Sequence, residues 1–104
     1  MITIFSSFTV DPSQRASLDA EMADFLDATT HARRKASIYQ YLADPTDPAK
    51  VFVLQTWPDD DDFTAWSQQP AFHEILRRAR ANDAITAASA VIFEGCTAAR
   101  ECPS

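Results

Sequence analysis

Two prolines, Pro58 and Pro70, cut the most informative stretch of the chain, residues 51–76, into one strand and two short helices. Val51-Phe52-Val53-Leu54-Gln55-Thr56-Trp57 is rich in β-branched and aromatic side chains and has the length of a buried strand. Pro58 ends it, because proline has no N–H to continue a ladder. Asp59 can then accept from the free N–H groups of a new helix. Asp60, Asp61 and Asp62 fall in its first turn, where the helix dipole favours negative charge. Phe63 and Trp66 share one helical face, Pro70 interrupts the backbone ladder, and Phe72, Ile75, Leu76 and Ala79 resume the face at helical spacing. A strand followed by a helix bent at Pro70, burying one common face, is the expectation. The four aspartates do not read as a metal site, because successive helical side chains diverge by about 100° and cannot converge on one ion.

The rest of the chain repeats the pattern. Ile2, Ile4, Ser6, Phe8 and Val10 alternate with Thr3, Phe5, Ser7 and Thr9, the period of a strand. Asp11-Pro12 stops that strand and starts a helix running to about Thr29, with Leu18, Met22, Phe25 and Leu26 on its apolar face. Residues 36–43 alternate again. Asp44-Pro45-Thr46-Asp47-Pro48 folds them back as a hairpin onto the strand at 51–57. Asn82-Asp83 stops the second helix, and residues 88–94 form a fourth strand ended by Gly95. The order strand, helix, strand, strand, helix, strand folds by the crossover rule into a four-stranded antiparallel sheet with both helices on one face, the ferredoxin-like α+β plan. Residues 1–95 form one domain and 96–104 a tail. Both alternating sets of the strands are apolar, while the helices cover one face, so a second copy is expected to close the other and make a homodimer.

A formal charge of −6 argues against nucleic-acid and anionic-membrane partners, which need a basic field. The basic clusters Arg33-Arg34-Lys35 and Arg77-Arg78-Ala79-Arg80 fall near predicted helix ends, where cations oppose the dipole. No apolar run is long enough to span a membrane, no charged leader precedes the first strand, and a cytoplasmic protein is expected. Cys96 and Cys102 lack neighbouring histidines and read as reduced, exposed thiols rather than metal ligands. No phosphate loop, nucleophile elbow, paired-histidine motif or CxxC is present, which excludes the common hydrolase, kinase and zinc-enzyme signatures.

The run from Val51 to Trp57, the acidic gap, Phe63-Thr64-Ala65-Trp66 and Pro70-Ala71-Phe72, preceded by Ile38-Tyr39-Gln40-Tyr41, resembles the antibiotic biosynthesis monooxygenase family of dimeric α+β barrels. The resemblance spans about residues 2–95. It implies a cofactor-free monooxygenase that oxidises a small aromatic, quinol- or anthrone-like substrate with dioxygen, needing neither metal nor cofactor. A base removes a phenolic proton, the electron-rich anion reduces dioxygen, and the pocket excludes water. A non-catalytic dimeric module binding a small hydrophobic ligand is the alternative, and a haem-binding or haem-degrading oxygenase is a further one. Quinol-type members often carry histidine where this chain has Trp66. The haem-degrading branch carries tryptophan there, but its iron-ligating histidine follows nine or ten residues later, where this chain has Ile75 and Leu76, and its first-strand asparagine is replaced by Ser6 or Ser7.

The pocket implied lies between sheet and helices, with Trp66 and the base His73 as catalytic candidates and Trp57, Tyr39, Tyr41, Phe72 and Ser6 lining the substrate. An imidazole suits the base because its ordinary titration falls near neutrality. His31, at the exit of the first helix, is the second choice. Each histidine has surface exposure as its competing explanation, and each tryptophan has core packing.

Overall fold

The computed structural model describes residues 1–94, so the expectations for Gly95, Cys96 and Cys102 lie outside the described residues. Strand β1 (Ile2–Val10) leads through a 3-10 turn (Pro12–Gln14) into α1 (Arg15–Ala28). Strands β2 (Ile38–Ala43) and β3 (Lys50–Trp57) follow, then α2 (Asp60–Ser67), α3 (Pro70–Ala81) and β4 (Ile85–Glu94). The sheet has four strands in the order β2-β3-β1-β4, every neighbouring pair antiparallel. This is the ferredoxin-like α+β fold. No helix among the described residues is long and apolar enough to cross a membrane.

Local chemistry sets the boundaries. Asp59, in extended conformation, accepts the Asp62 N–H at 2.9 Å, so α2 starts where the aspartate run places it. Pro70 is the first residue of α3, separated from α2 by Gln68 and Gln69. Three boundaries differ from the sequence expectation. The first helix opens as a 3-10 turn, because the Asp11 carboxylate accepts the Ser13 N–H at 3.0 Å. The second strand begins at Ile38 rather than 36, because residues 29–36 coil into turns closed by Arg33 N–H to Thr29 O at 3.1 Å and Ala36 N–H to Arg33 O at 3.0 Å. The last strand begins three residues early, at Ile85 rather than 88. Asp83 takes the left-handed conformation at φ 56°, which aspartate tolerates, and Ala84 N–H returns to Ala79 O at 2.7 Å. The reversal is therefore complete almost at once.

The strand alternation sorts side chains onto two sides. Ile2, Ile4, Val10, Val51 and Trp57 face the helices and meet Leu18, Met22, Phe25, Trp66, Ile75 and Ala79 in one core. Tyr39 and Tyr41 also pack against that core, which assigns them to the helix side rather than to the open face. On the open side Phe5 stacks on Phe52 at 5.4 Å, and the Thr3 and Thr56 hydroxyls bond at 3.0 Å. Phe5 and Leu54 are directly paired across the β1–β3 ladder, and none of Phe5, Phe52, Leu54, Val91 and Phe93 belongs to the core cluster. Val91, Ile92 and Phe93 of β4 are 50%, 58% and 53% exposed.

The basic clusters separate in the same way. Arg78 and Arg80 lie in the last turn of α3, and Arg33 donates to the Leu26 carbonyl near the end of α1, as cations at helix ends should. Arg34 and Lys35 do not. α1 ends at Ala28, and these two side chains sit on the coiled link beyond it.

Candidate functional site

The core is organised by five aromatic rings. Trp57, the last residue of β3, stacks on Trp66 of α2 at 5.7 Å and 30°. Trp66 also receives Tyr39 edge-on at 5.2 Å and Phe25 at 5.6 Å, and Phe25 in turn meets Phe72 at 5.6 Å. Trp57 and Trp66 are 2% and 4% exposed, so both are core residues in the first instance. The Trp57 indole N–H is satisfied by the buried Gln55 side-chain oxygen at 2.8 Å, which explains why a glutamine lies on the apolar face of β3.

Three spaces adjoin this cluster. A groove of about 460 Å³ between α1 and α3 touches it through Phe25 alone, among the acidic side chains Glu21, Asp24 and Glu74. The sizes of the other two decide what each can hold. The first lies between sheet and helices, bounded by Phe8, Leu18, Met22, Tyr41, Phe72 and Leu76 among others. Its free volume is about 20 Å³, room for one water and too little for an aromatic ring. The second is a cleft of about 380 Å³ between the link after α1 and the face of α2 that carries Asp62, Ala65 and Trp66. Trp57, Trp66 and Ala65 line it together with His31, Arg34, Lys35, Asp62 and Gln69. That volume is within the range of small-molecule sites.

The expected site residues are thus divided. Trp57 and Trp66 border the cleft, while Tyr41 and Phe72 border the small space inside. Tyr39 joins the cluster through Trp66. Ser6 is half-buried and borders neither space. His73 is exposed, and its Nε2 lies 2.8 Å from the Ser67 carbonyl oxygen at the end of α2, so its ring serves the α2–α3 bend and borders neither space. His31, the second choice, does border the cleft. Ile75 is buried in the core and Leu76 walls the small space, so α3 presents no iron ligand at those positions. Among the described residues no three His, Cys, Asp or Glu side chains come together to hold a metal ion.

Arg34, Lys35 and Asp62 also line the cleft and were not among the expected site residues. Their signal was the basic triplet 33–35, which reads as a helix end until the link is seen to coil over α2. Lys35 Nζ reaches Asp62 at 3.2 Å across the cleft, and Arg34 donates to the His31 carbonyl at 3.1 Å.

The two tyrosines are electrostatically distinct. Tyr41 donates to Asp19 Oδ1 at 2.8 Å, and Asp19 is held by Arg15 Nε at 3.0 Å. Burial first, then that carboxylate, push the Tyr41 phenol up from its ordinary range. Among the described residues Tyr39 Oη is buried without a hydrogen-bond partner. Burial pushes the Tyr39 phenol from 10.0 up to about 12, moderated by the nearby Trp66 indole and by Arg33, whose guanidinium lies 5.2 Å from the ring centre. The indole is close enough to temper the shift without meeting hydrogen-bond geometry.

Because the folded value of Tyr39 is the higher one, its contribution is fully present below pH 10 and is lost as the pH rises toward 12, by about 2–3 kcal/mol. Tyr39→Phe should therefore flatten the alkaline loss of stability. At pH 7 it should be neutral or up to about 1 kcal/mol more stable, since it removes an unpaired buried hydroxyl. Urea unfolding at pH 7, 9 and 11 measures both. A clear destabilisation at pH 7 would mean that the hydroxyl has a partner.

Comparison with known proteins places this geometry in a family. The family model described as antibiotic biosynthesis monooxygenase matches residues 1–78. No curated protein matches the chain by sequence. Among solved structures, a protein from Deinococcus radiodurans assigned as an antibiotic biosynthesis monooxygenase superposes with a TM-score of 0.80 at 14% identity, covering 94% of this chain and 95% of its own. One from Caulobacter crescentus gives 0.79 at 15% identity, covering 91% and 89%. A point mutant of SnoaB, a cofactor-independent oxygenase from Streptomyces nogalater, gives 0.65 at 20% identity, covering 94% and 95%. At these identities the superpositions speak for the fold, and the match over residues 1–78 speaks for descent: the chain belongs to the antibiotic biosynthesis monooxygenase family.

Proposed function

We propose that this protein is a cofactor-free monooxygenase that oxidises a small aromatic, quinol- or anthrone-like substrate with dioxygen, working as a homodimer. The observation that carries this reading is the shared cleft of His31, Trp57 and Trp66, about 380 Å³ in volume, in a member of this family. Trp57 and Trp66 border this space, each almost wholly buried. The His31 imidazole, exposed at the rim, borders the same space and is the candidate there to take a phenolic proton. Once deprotonated, the substrate donates an electron to dioxygen. Recombination forms its carbon–oxygen bond, loss of water leaves the carbonyl, and the second oxygen atom departs in that water. The substrate supplies every electron, so the protein supplies a base and a shape.

This reading moves the base from His73 to His31, because the His73 ring is committed to the Ser67 carbonyl. Oxygen uptake by the metal-free protein against a panel of hydroquinones and anthrone-like phenols tests it. His31→Ala should lower kcat by about 10²-fold or more, the usual worth of a positioned base. His73→Ala should leave it within a few-fold. Loss of turnover in His73→Ala alone, with His31→Ala active, would reverse the assignment. The near-complete burial of both indoles favours a second reading, a dimeric module that binds an aromatic ligand without turning it over. No uptake with any phenol would select it.

A further inference from the structure

We infer that the small space between sheet and helices is a dioxygen site, where an apolar gas molecule is held apart from the aromatic reactant in the cleft. The inference rests on the oxygenase reading for the use of that gas and adds the place where it is bound. Size and polarity separate the possible occupants. About 20 Å³ of free volume excludes every ring, so the space does not duplicate the cleft. No side chain lining it carries a charge, which leaves an ion without a counter-charge there. Water fits by size, yet a buried water makes about two to four hydrogen bonds, and Tyr41 is the one lining residue with a hydroxyl. That hydroxyl is already committed as donor to Asp19 Oδ1 at 2.8 Å. A small molecule that makes no hydrogen bonds loses nothing on leaving water for these walls.

The walls make the space both dry and reachable. Val51, Val53 and Met22 are 1%, 3% and 4% exposed, as the floor of an interior void should be. Phe8, Phe72 and Leu76, which also line it, are half-buried, so a gas can enter past side chains that already meet solvent. Phe72 connects the space to the cleft. Its ring meets Phe25 at 5.6 Å, Phe25 meets Trp66 at 5.6 Å, and Trp66 borders the cleft. This chain of rings is what stands between the held gas and the aromatic reactant.

Dioxygen is paramagnetic, so it speeds the relaxation of the protons it touches and needs no label. The test compares methyl-proton relaxation in the full chain under pressurised dioxygen and under nitrogen. Met22, Leu76 and Ile85 line the space, while Ile2 and Ile4 are buried controls in the same core that do not. The expected result is an enhancement at the lining methyls about threefold or more above that at the controls, removed when xenon is added as a competing apolar gas. Val53→Ile and Leu76→Phe fill the space from a buried and a half-buried wall, with circular dichroism to confirm the fold. Either folded variant should lose the excess enhancement. Equal enhancement at lining and control methyls, an excess that survives filling, or cross-relaxation between water and the Met22 methyl that marks a bound water would each overturn the inference. None of these readings depends on turnover, so its failure is separable from that of the oxygenase reading. Excess enhancement without oxygen uptake from any phenol would overturn the enzyme and keep the gas site. Oxygen uptake whose KM for dioxygen is the same in the filled variant would keep the enzyme and overturn the site.

Discussion

Trp66→Ala should cost about 3–5 kcal/mol of folding stability, the range for removing a large buried aromatic. Trp66 is 4% exposed and touches three other rings, those of Phe25, Tyr39 and Trp57, so its loss opens a void among side chains that cannot all move to fill it. A domain of this size has about 5–15 kcal/mol in total, and the substitution should bring it close to unfolding at 37 °C. Trp66→Phe keeps one ring and should cost far less. Urea unfolding followed by circular dichroism measures both. A loss under about 1 kcal/mol for alanine would show that the cluster collapses around the gap and that Trp66 is not central to the core. The phenylalanine variant then separates packing from chemistry: a folded chain with weakened aromatic binding places the indole in the site as well as in the core.

The fold was legible because its signals are local. Asp11, Pro58, Asp59 and Pro70 act through their own backbone neighbourhood, so caps and breaks could be placed to within a residue or two. The early start of β4 was hidden because it depends on Asp83 adopting a left-handed conformation, which aspartate permits but does not require. The site was half legible. Trp57 and Trp66 announce themselves as large rings at the end of a strand and on the apolar face of a helix. His73 was placed by helical phase alone, whereas its ring lies against the Ser67 carbonyl across the bend and borders neither space. Arg34 and Lys35 were misplaced for the opposite reason: the sequence extends α1 to about Thr29 and leaves the link shapeless, yet hydrogen bonds between Thr29, His31, Arg33 and Ala36 coil it over α2. Contacts made by a glycine-free polar link leave no periodic trace.

A double substitution on the outer part of β4, Val91→Lys with Phe93→Lys, should convert the proposed dimer into a folded monomer. Alternate residues of β4 share a face, and the register pairs Val91 with Phe5 and Phe93 with Thr3, so both belong to the side of the sheet that the helices leave open. Both are about half exposed in the single chain, so lysine there disturbs little that the monomer packs. In a dimer closed through this face the same positions would be buried, and each unpaired charge would cost about 3–5 kcal/mol. Two such charges per chain, meeting their own copies across a two-fold axis, exceed what an interface of ordinary size tolerates. Sedimentation velocity across a range of concentrations reads the result, with circular dichroism to confirm the fold. A native chain that sediments as a monomer would remove the dimer from the proposal, and a double variant that remains dimeric would move the interface off this face. The cleft at Trp57 and Trp66 lies on the helix side of the sheet, so the monomeric variant should still bind an aromatic ligand. Retained binding with lost turnover would then show that the second copy is needed for the chemistry and not for recognition.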